Sequence, residues 1–193
     1  MKLIDICTVL SRGKTLPDEY KNINGNIFNV RLVDIQSDGN VTLKDNYKYD
    51  IEDKNNYLYR YGIKNNDLVF SELTRMDFNV KLIQGIQPNV AMYSARVIFA
   101  RINSEIYNPV FLSKLLNSGK YNKKFMECVY KETIGYSAVK QIRMEQLKNF
   151  EIPNIPLDEQ EKILKEDSQV ELSMTIQAYP DYNGRIYYTW KDD

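Results

Sequence analysis

The side chains best equipped for chemistry in this sequence are hydrogen-bonding cations, amides and hydroxyls, and they fall in a few short segments. Ser11-Arg12-Gly13-Lys14-Thr15 sets a glycine beside a lysine and a threonine. Thr74 and Arg75 follow an apolar run, and Gly135-Tyr136-Ser137 precedes Lys140, Gln141 and Arg143. A glycine and a hydroxyl residue opening a helix present backbone N–H groups to a phosphate, and a lysine one turn further on adds charge. These groups suit anion binding. The sequence has no histidine, which removes Ser-His-Asp and Cys-His machinery and histidine-ligated zinc. Its cysteines, Cys7 and Cys128, lie outside any CxxC spacing, so they read as small buried hydrophobes rather than a disulfide or a zinc site. Glu72 and Asp77 are neighbours in sequence, but metal-dependent hydrolysis needs a larger carboxylate cluster. They read as surface acids, and no catalytic residue, cofactor or metal is expected.

Net charge is zero, with 26 basic and 26 acidic side chains. Their distribution is uneven. Residues 1–75 carry 11 of each, residues 76–150 carry 11 basic and 5 acidic, and residues 151–193 carry 4 and 10. A basic middle beside an acidic tail suits a local anion-binding face. The longest apolar runs, such as Val90 to Met92 and Val97 to Ala100, are too short to cross a bilayer, and the N-terminus lacks a signal-peptide layout. A soluble, cytoplasmic protein with no membrane partner is therefore expected.

The elements that must position these groups follow from periodicity. Leu3 to Leu10 reads as a short helix or strand ending at Gly13, where glycine permits a loop conformation closed to other residues. Strands are expected at Ile27–Leu32, Val41–Leu43, Leu68–Ser71, Val80–Ile83 and Ala95–Arg101, with a turn at Ser37-Asp38-Gly39-Asn40. Asp45 to Asn56 reads as a loop or short irregular elements, with Tyr47, Tyr49 and Tyr57 as patches that dock onto the body. Asn108 is an N-cap with Pro109 at the first helical position, giving a helix to about Ser118-Gly119. Further helices are expected over Asn122–Lys131, from Ser137 or Val139 to Leu147, and from Leu157. The helical pattern fails near Lys165, where Val170, Leu172, Met174 and Ile176 alternate with polar residues, and a terminal β-hairpin turns at Pro180 to Gly184. The fold class is α+β: a twisted, β-rich N-terminal half, helices in the second half and a C-terminal hairpin. The domain division is residues 1–156 and an appendage of residues 157–193.

Several segments, taken in order, resemble the specificity (S) subunits of type I restriction-modification systems. They are Ser11 to Thr15; Asn66-Asp67-Leu68-Val69-Phe70-Ser71; Asn108-Pro109-Val110-Phe111-Leu112; Gly135-Tyr136-Ser137-Ala138-Val139-Lys140-Gln141-Ile142; Leu147 to Pro153; and Leu157-Asp158-Glu159-Gln160. No piece is specific alone; order and spacing over residues 2–164 carry the likeness. The resemblance implies a single target-recognition domain that reads one half of a bipartite site in double-stranded DNA. It also implies a separate methyltransferase (modification) subunit as partner, and through it a restriction subunit. An excised domain, a half-subunit that pairs with itself and a solitary relative all fit. One departure stands out: in that family the Leu-Asp-Glu-Gln segment opens a long spacer helix, whereas here the helical pattern fails after about Lys165 and a hairpin is expected to follow, so the spacer function is not expected of this chain.

For a DNA reader the expected contacts are Lys14, Thr15, Thr74, Arg75, Arg96, Tyr136, Ser137, Lys140, Gln141 and Arg143. Arg75 and Arg96 are shaped for guanine and Gln141 for adenine. The fifteen tyrosines read mainly as half-buried packing rather than a stacking platform for single strands. Two other classes compete. A scaffold would hold methyltransferase subunits without reading DNA well itself. An amino-methyltransferase is suggested by Asn108-Pro109-Val110-Phe111, one residue from an Asn-Pro-Pro-aromatic motif. The second proline is missing and no glycine-rich loop follows a strand, so the helix cap is the simpler account.

Overall fold

The computed structural model describes residues 1–74, 79–131, 140–176, 179–180 and 186–187, with backbone only at 73–74, 131, 140 and from 168 onward. The chain divides into two compact units, Met1–Asn154 and Ile155–Asp193.

In the first unit, a 3-10 turn at Leu3–Ile6 leads into β1 (Cys7–Arg12), which pairs antiparallel with β8 (Val97–Ile102). β8 also pairs with β4 (Leu68–Ser71), and β4 with β6 (Val80–Leu82), giving the order β1-β8-β4-β6. Leu68, Val69 and Phe70, and Val97 through Ala100, are all fully buried. Both faces of the sheet are therefore covered, which is why these segments read as unbroken apolar runs and not as alternation. One face builds a core with Val69, Val97, Phe99, Tyr93 and Ile83. The Tyr93 and Phe99 rings stack at 4.4 Å. α2 (Pro109–Asn117) packs against β6. Asn117 closes that edge strand with its side-chain amide, accepting from Val80 N at 2.9 Å and donating to Val80 O at 2.7 Å, so unpaired edge groups are satisfied.

A second, three-stranded sheet joins β3 (Lys48–Tyr49) antiparallel to β2 (Ile27–Val30), and β2 parallel to β7 (Ala91–Tyr93). Its core holds Leu16, Ile27, Tyr49, Ile51, Leu58 and Met92. Leu58 belongs to α1 (Lys54–Tyr61). The polar stretch up to Asn56, expected as a loop or short irregular elements, holds a 3-10 turn at Asp45–Tyr47 and β3, but its last residues, from Lys54, belong to α1; asparagine and tyrosine are indifferent helix formers. Tertiary burial decides otherwise: Asp53 caps by accepting from Asn56 N, Leu58 enters the core, and Tyr57 and Tyr61 meet at 6.4 Å.

The N-terminus and the end of this unit are tied together. Leu3 N donates to Phe150 O at 2.8 Å and Ile152 N to Met1 O at 2.9 Å. Between them lie α3 (Gly119–Lys131) and α4 (Met144–Asn149), with Phe125 edge-on to Phe150 at 5.0 Å.

Most of the expected strands and the Asn108 cap are present; Asn108 accepts from Val110 N and Phe111 N. Gly39, at φ +88°, makes the expected turn. Four expectations are corrected. Val41–Leu43 forms only an isolated bridge, Ile35 to Val41. The helix expected up to Leu147 starts at Met144, and Lys140–Gln141 is instead β9, paired with β5 (Leu73–Thr74). Cys7 is half-buried, with burial pushing its thiol up to about 12, but Cys128 is exposed.

The fourth correction lies in the second unit, where α5 runs from Leu157 to Ile176 without a break at Lys165. The stretch contains no glycine or proline, and a nucleated helix of Glu, Lys, Leu and Gln propagates through four alternating apolar positions that equally fit a strand. β10 (Tyr179–Pro180) and β11 (Ile186–Tyr187) then pair antiparallel where a terminal hairpin is expected; of its turn, residues 181–184 lie outside the described residues. Among the described residues, no helix is long and apolar enough to cross a membrane.

Candidate functional site

Gly13 sets the geometry of the site. A Cβ there would run into the carbonyl oxygens of Tyr93 and Ser94. The expected reason for this glycine was backbone freedom; the structural reason is close approach. Gly13 N donates to Val97 O at 2.9 Å and Lys14 N to Tyr93 O at 3.0 Å, fastening the loop after β1 onto the turn between β7 and β8. Asn29 of β2 holds it from the other side, its Nδ2 donating to Lys14 O at 3.3 Å. Gly13→Ala is expected to lower stability by about 1–3 kcal/mol, the usual cost of forcing a methyl into filled space, as read from the urea midpoint.

The loop and turn form two walls of a cleft of about 630 Å³, lined by Thr15 and Arg96 among others. Lys14, Thr15 and Arg96 are all exposed. A third wall is the 3-10 turn Leu32–Asp34, with Arg31 before it. Arg31 grips Asp34 in a two-point fork, Nε to Oδ2 at 2.9 Å and Nη2 to Oδ1 at 3.0 Å, and lies 3.8 Å over the Tyr47 ring, whose hydroxyl accepts from Nη1. Lys44 adds a bond to Asp34 at 2.9 Å. The fork orients Arg31 at the cleft at a fixed angle.

Burial alone would push the Asp34 carboxyl up. The bonds from Arg31 and Lys44 outweigh it and hold the group at about 2, below its ordinary 3.8. A folded value below the unfolded one means that the stabilisation is complete above about pH 4 and is lost as pH falls through 2. At one unit per 1.36 kcal/mol it amounts to about 2 kcal/mol. Urea titrations of the wild type and Asp34→Asn should therefore differ by about that much at pH 6 and converge toward pH 2.

The floor carries Ser71 and Glu72. Glu72 was expected to be a surface acid. Its side chain is only 15% exposed and accepts on one oxygen from both Arg12 Nη1 and Gln141 Nε2, the latter at 3.0 Å. Ile142 N donates to Glu72 O at 2.8 Å, and β5 and β9 pair Leu73 with Gln141 and Thr74 with Lys140. Lys140 therefore sits on a strand, not one helical turn beyond Ser137. Arg143 is exposed, next to the start of α4, where its N–H donates to Gln146 Oε1 at 2.8 Å.

Of the expected contacts, Thr15 and Arg96 line one cleft with Lys14 beside it, Gln141 is fastened to its floor, and Thr74 and Lys140 share a ladder next to that floor. Arg75, Tyr136 and Ser137, together with Asp77, lie outside the described residues. Sequence reasoning missed Arg12, Arg31, Tyr47 and Glu72 as parts of the site. Arg12 lay inside a segment already singled out; Arg31 pairs with Asp34 three residues on, a spacing that could have marked it, whereas Tyr47 and Glu72 take their roles from partners distant in the chain.

The resemblance segment Asn66-Asp67 has a structural job. Asn66 takes a φ of +68°. Asp67 is fully buried and receives a two-point fork from Arg101, Nε to Oδ1 and Nη2 to Oδ2, both at 2.9 Å, with Tyr93 Oη at 3.1 Å and Lys64 N at 3.0 Å. This network secures β8 to the turn before β4, and so the frame on which the cleft stands.

The fold of this chain, with its mixed helices and antiparallel sheets, is shared with two solved proteins described as type I specificity subunits. The chain matches the HsdS subunit from Thermoanaerobacter tengcongensis with a TM-score of 0.59 at 15% identity, covering 91% of this chain and 37% of that one. It matches the type I restriction-modification S subunit from M. genitalium with a TM-score of 0.51 at 14% identity, covering 91% and 39%. By sequence it is 27% identical over 167 residues to a protein of Methanocaldococcus jannaschii described as a type I restriction enzyme MjaX specificity subunit, across 85% of this chain and 37% of that relative. The chain thus resembles type I specificity subunits over the length of a single domain, spanning little more than a third of each relative. No protein-family model matches it.

Proposed function

We propose that this chain is a specificity module that binds double-stranded DNA in a sequence-dependent way, reads one half of a bipartite site and directs a separate methyltransferase, and through it a nuclease. The observation that carries the reading is the convergence of three distant segments on one cleft: Thr15 with Lys14 beside it, the Arg96 turn, and Glu72, to which Gln141 is bonded. Exposed cations at the rim suit phosphates, while oriented arginine and glutamine side chains suit base edges. Residues 1–156 serve as the reading domain and residues 157–193 as the appendage; the work is done in the cytoplasm, on DNA, without catalysis by the chain itself.

The test is selection from random-sequence duplexes at low and moderate salt. Recovery of a short asymmetric motif supports a half-site reader; no enrichment at any salt overturns it.

A second reading, a scaffold for methyltransferase subunits or for a second copy of the chain, is favoured by α5. Its 20 residues span about 30 Å at the usual helical rise, enough for a shared docking helix. Size-exclusion with the modification subunit, comparing the full chain with one ending at residue 165, tests it. On the scaffold reading the shortened chain elutes alone and the full chain elutes in a complex.

A further inference from the structure

Glu72 stands where three segments meet: the end of β1, the link from β4 to β5, and β9. One carboxylate oxygen accepts from Arg12 Nη1 and from Gln141 Nε2. Arg12 is 37% exposed at its side chain and Gln141 is exposed. Among the described residues, Arg12 Nε and Nη2 and the Gln141 side-chain carbonyl make no hydrogen bond. Each side chain is therefore held at one end by Glu72 while part of it stays exposed. An arginine fork fits guanine and a glutamine amide fits adenine, and a shared acceptor fixes the distance and angle between the two readers.

Resting on the DNA-reading function above, we propose that Glu72 is a positioning residue that couples Arg12 and Gln141 into one composite reader of neighbouring bases, and that it also restrains Arg12 from binding phosphate indiscriminately. The second half follows from charge. The carboxylate neutralises Arg12 locally, so Arg12 gains little from phosphate alone, and its fork is useful only where a base edge meets it.

Glu72→Gln tests this, since it keeps an oxygen acceptor and the side-chain shape while removing the charge. Against random-sequence duplex, the variant should bind about 2–10-fold more tightly, with the slope of log K on log salt steeper by up to about 1, as one further cation becomes available to phosphate. Against the wild-type motif, the ratio of specific to random binding should fall at least tenfold, with preference lost at the bases read by Arg12 and Gln141. Arg12→Lys, which keeps the charge and loses the fork, should relax preference at one of the same positions. A merely structural role would weaken specific and random binding together, with a lower unfolding midpoint, and that result overturns the proposal. An unchanged motif and ratio in Glu72→Gln overturns it alone. A wild-type chain that binds no duplex overturns the DNA-reading function itself, and this inference with it.

Discussion

Asp67→Ala is expected to destabilise the protein by about 3–5 kcal/mol, the cost of leaving a buried partner charge without its counter-ion. Asp67 is fully buried, and the Arg101 guanidinium that it holds is mostly buried, at 17% exposure. Removing the carboxylate strands Arg101 against Gly62 O and leaves the Tyr93 hydroxyl and Lys64 N–H without their acceptor. Burial also raises the Asp67 carboxyl above its ordinary value in spite of Arg101, so the pair stabilises less in net terms than its four bonds suggest. The double variant Asp67→Leu with Arg101→Met should accordingly recover the part of the loss that comes from the stranded Arg101 charge, while the Tyr93 hydroxyl and Lys64 N–H stay without their acceptor. Urea unfolding of the wild type, both single variants and the double variant decides it. Additive losses in the double variant would mean that the two groups act independently.

The second large effect falls on binding, where Lys14→Ala and Arg96→Ala should part company. Lys14 is exposed on the loop that Gly13 fastens down, and on the proposed function it clamps a phosphate. Its loss should weaken binding to every duplex alike and make the salt slope shallower by about 0.9, one phosphate contact's share. Arg96 lines the cleft itself. Its loss should cost about 1–3 kcal/mol on the selected motif and much less on random sequence, relaxing preference at one position. Binding isotherms at several salt concentrations, on the selected and on a scrambled duplex, separate the two. Equal losses on both duplexes for Arg96→Ala would make it a second phosphate contact.

The elements that could be read from the sequence are those whose signal is local. Asn108-Pro109 begins a helix because the asparagine side chain and the proline ring both act within one turn. Leu68–Ser71 and Val97–Ala100 declare strands because a sheet covered on both faces needs continuous apolar runs. The misread elements are those where local preference is weak and distant partners decide. α1 is a poor helix former held by Leu58 in the core. β9 exists because Glu72 and Ile142 meet across the fold, in a stretch whose local pattern suits a helix as well. In α5 four alternating apolar positions satisfy either period, and continuity of helical hydrogen bonding settled the matter.

The candidate site divides along the same line. Residue type, once the resemblance had supplied a DNA partner, brought forward Lys14, Thr15, Arg96 and Gln141, because cations, hydroxyls and amides declare their hydrogen-bonding chemistry without help from the fold. The absence of histidine and the uneven charge were equally plain in one dimension. The tertiary structure alone decided that Gly13 is needed for close approach, that Asp67 is a buried anchor, and that Glu72 is a junction between Arg12 and Gln141. The physical reason is that burial and pairing are properties of distance in space. An aspartate or glutamate in sequence is only a charge, and its partner across the fold, 34 residues away for Asp67 and 69 for Glu72, determines whether it solvates, anchors or aims.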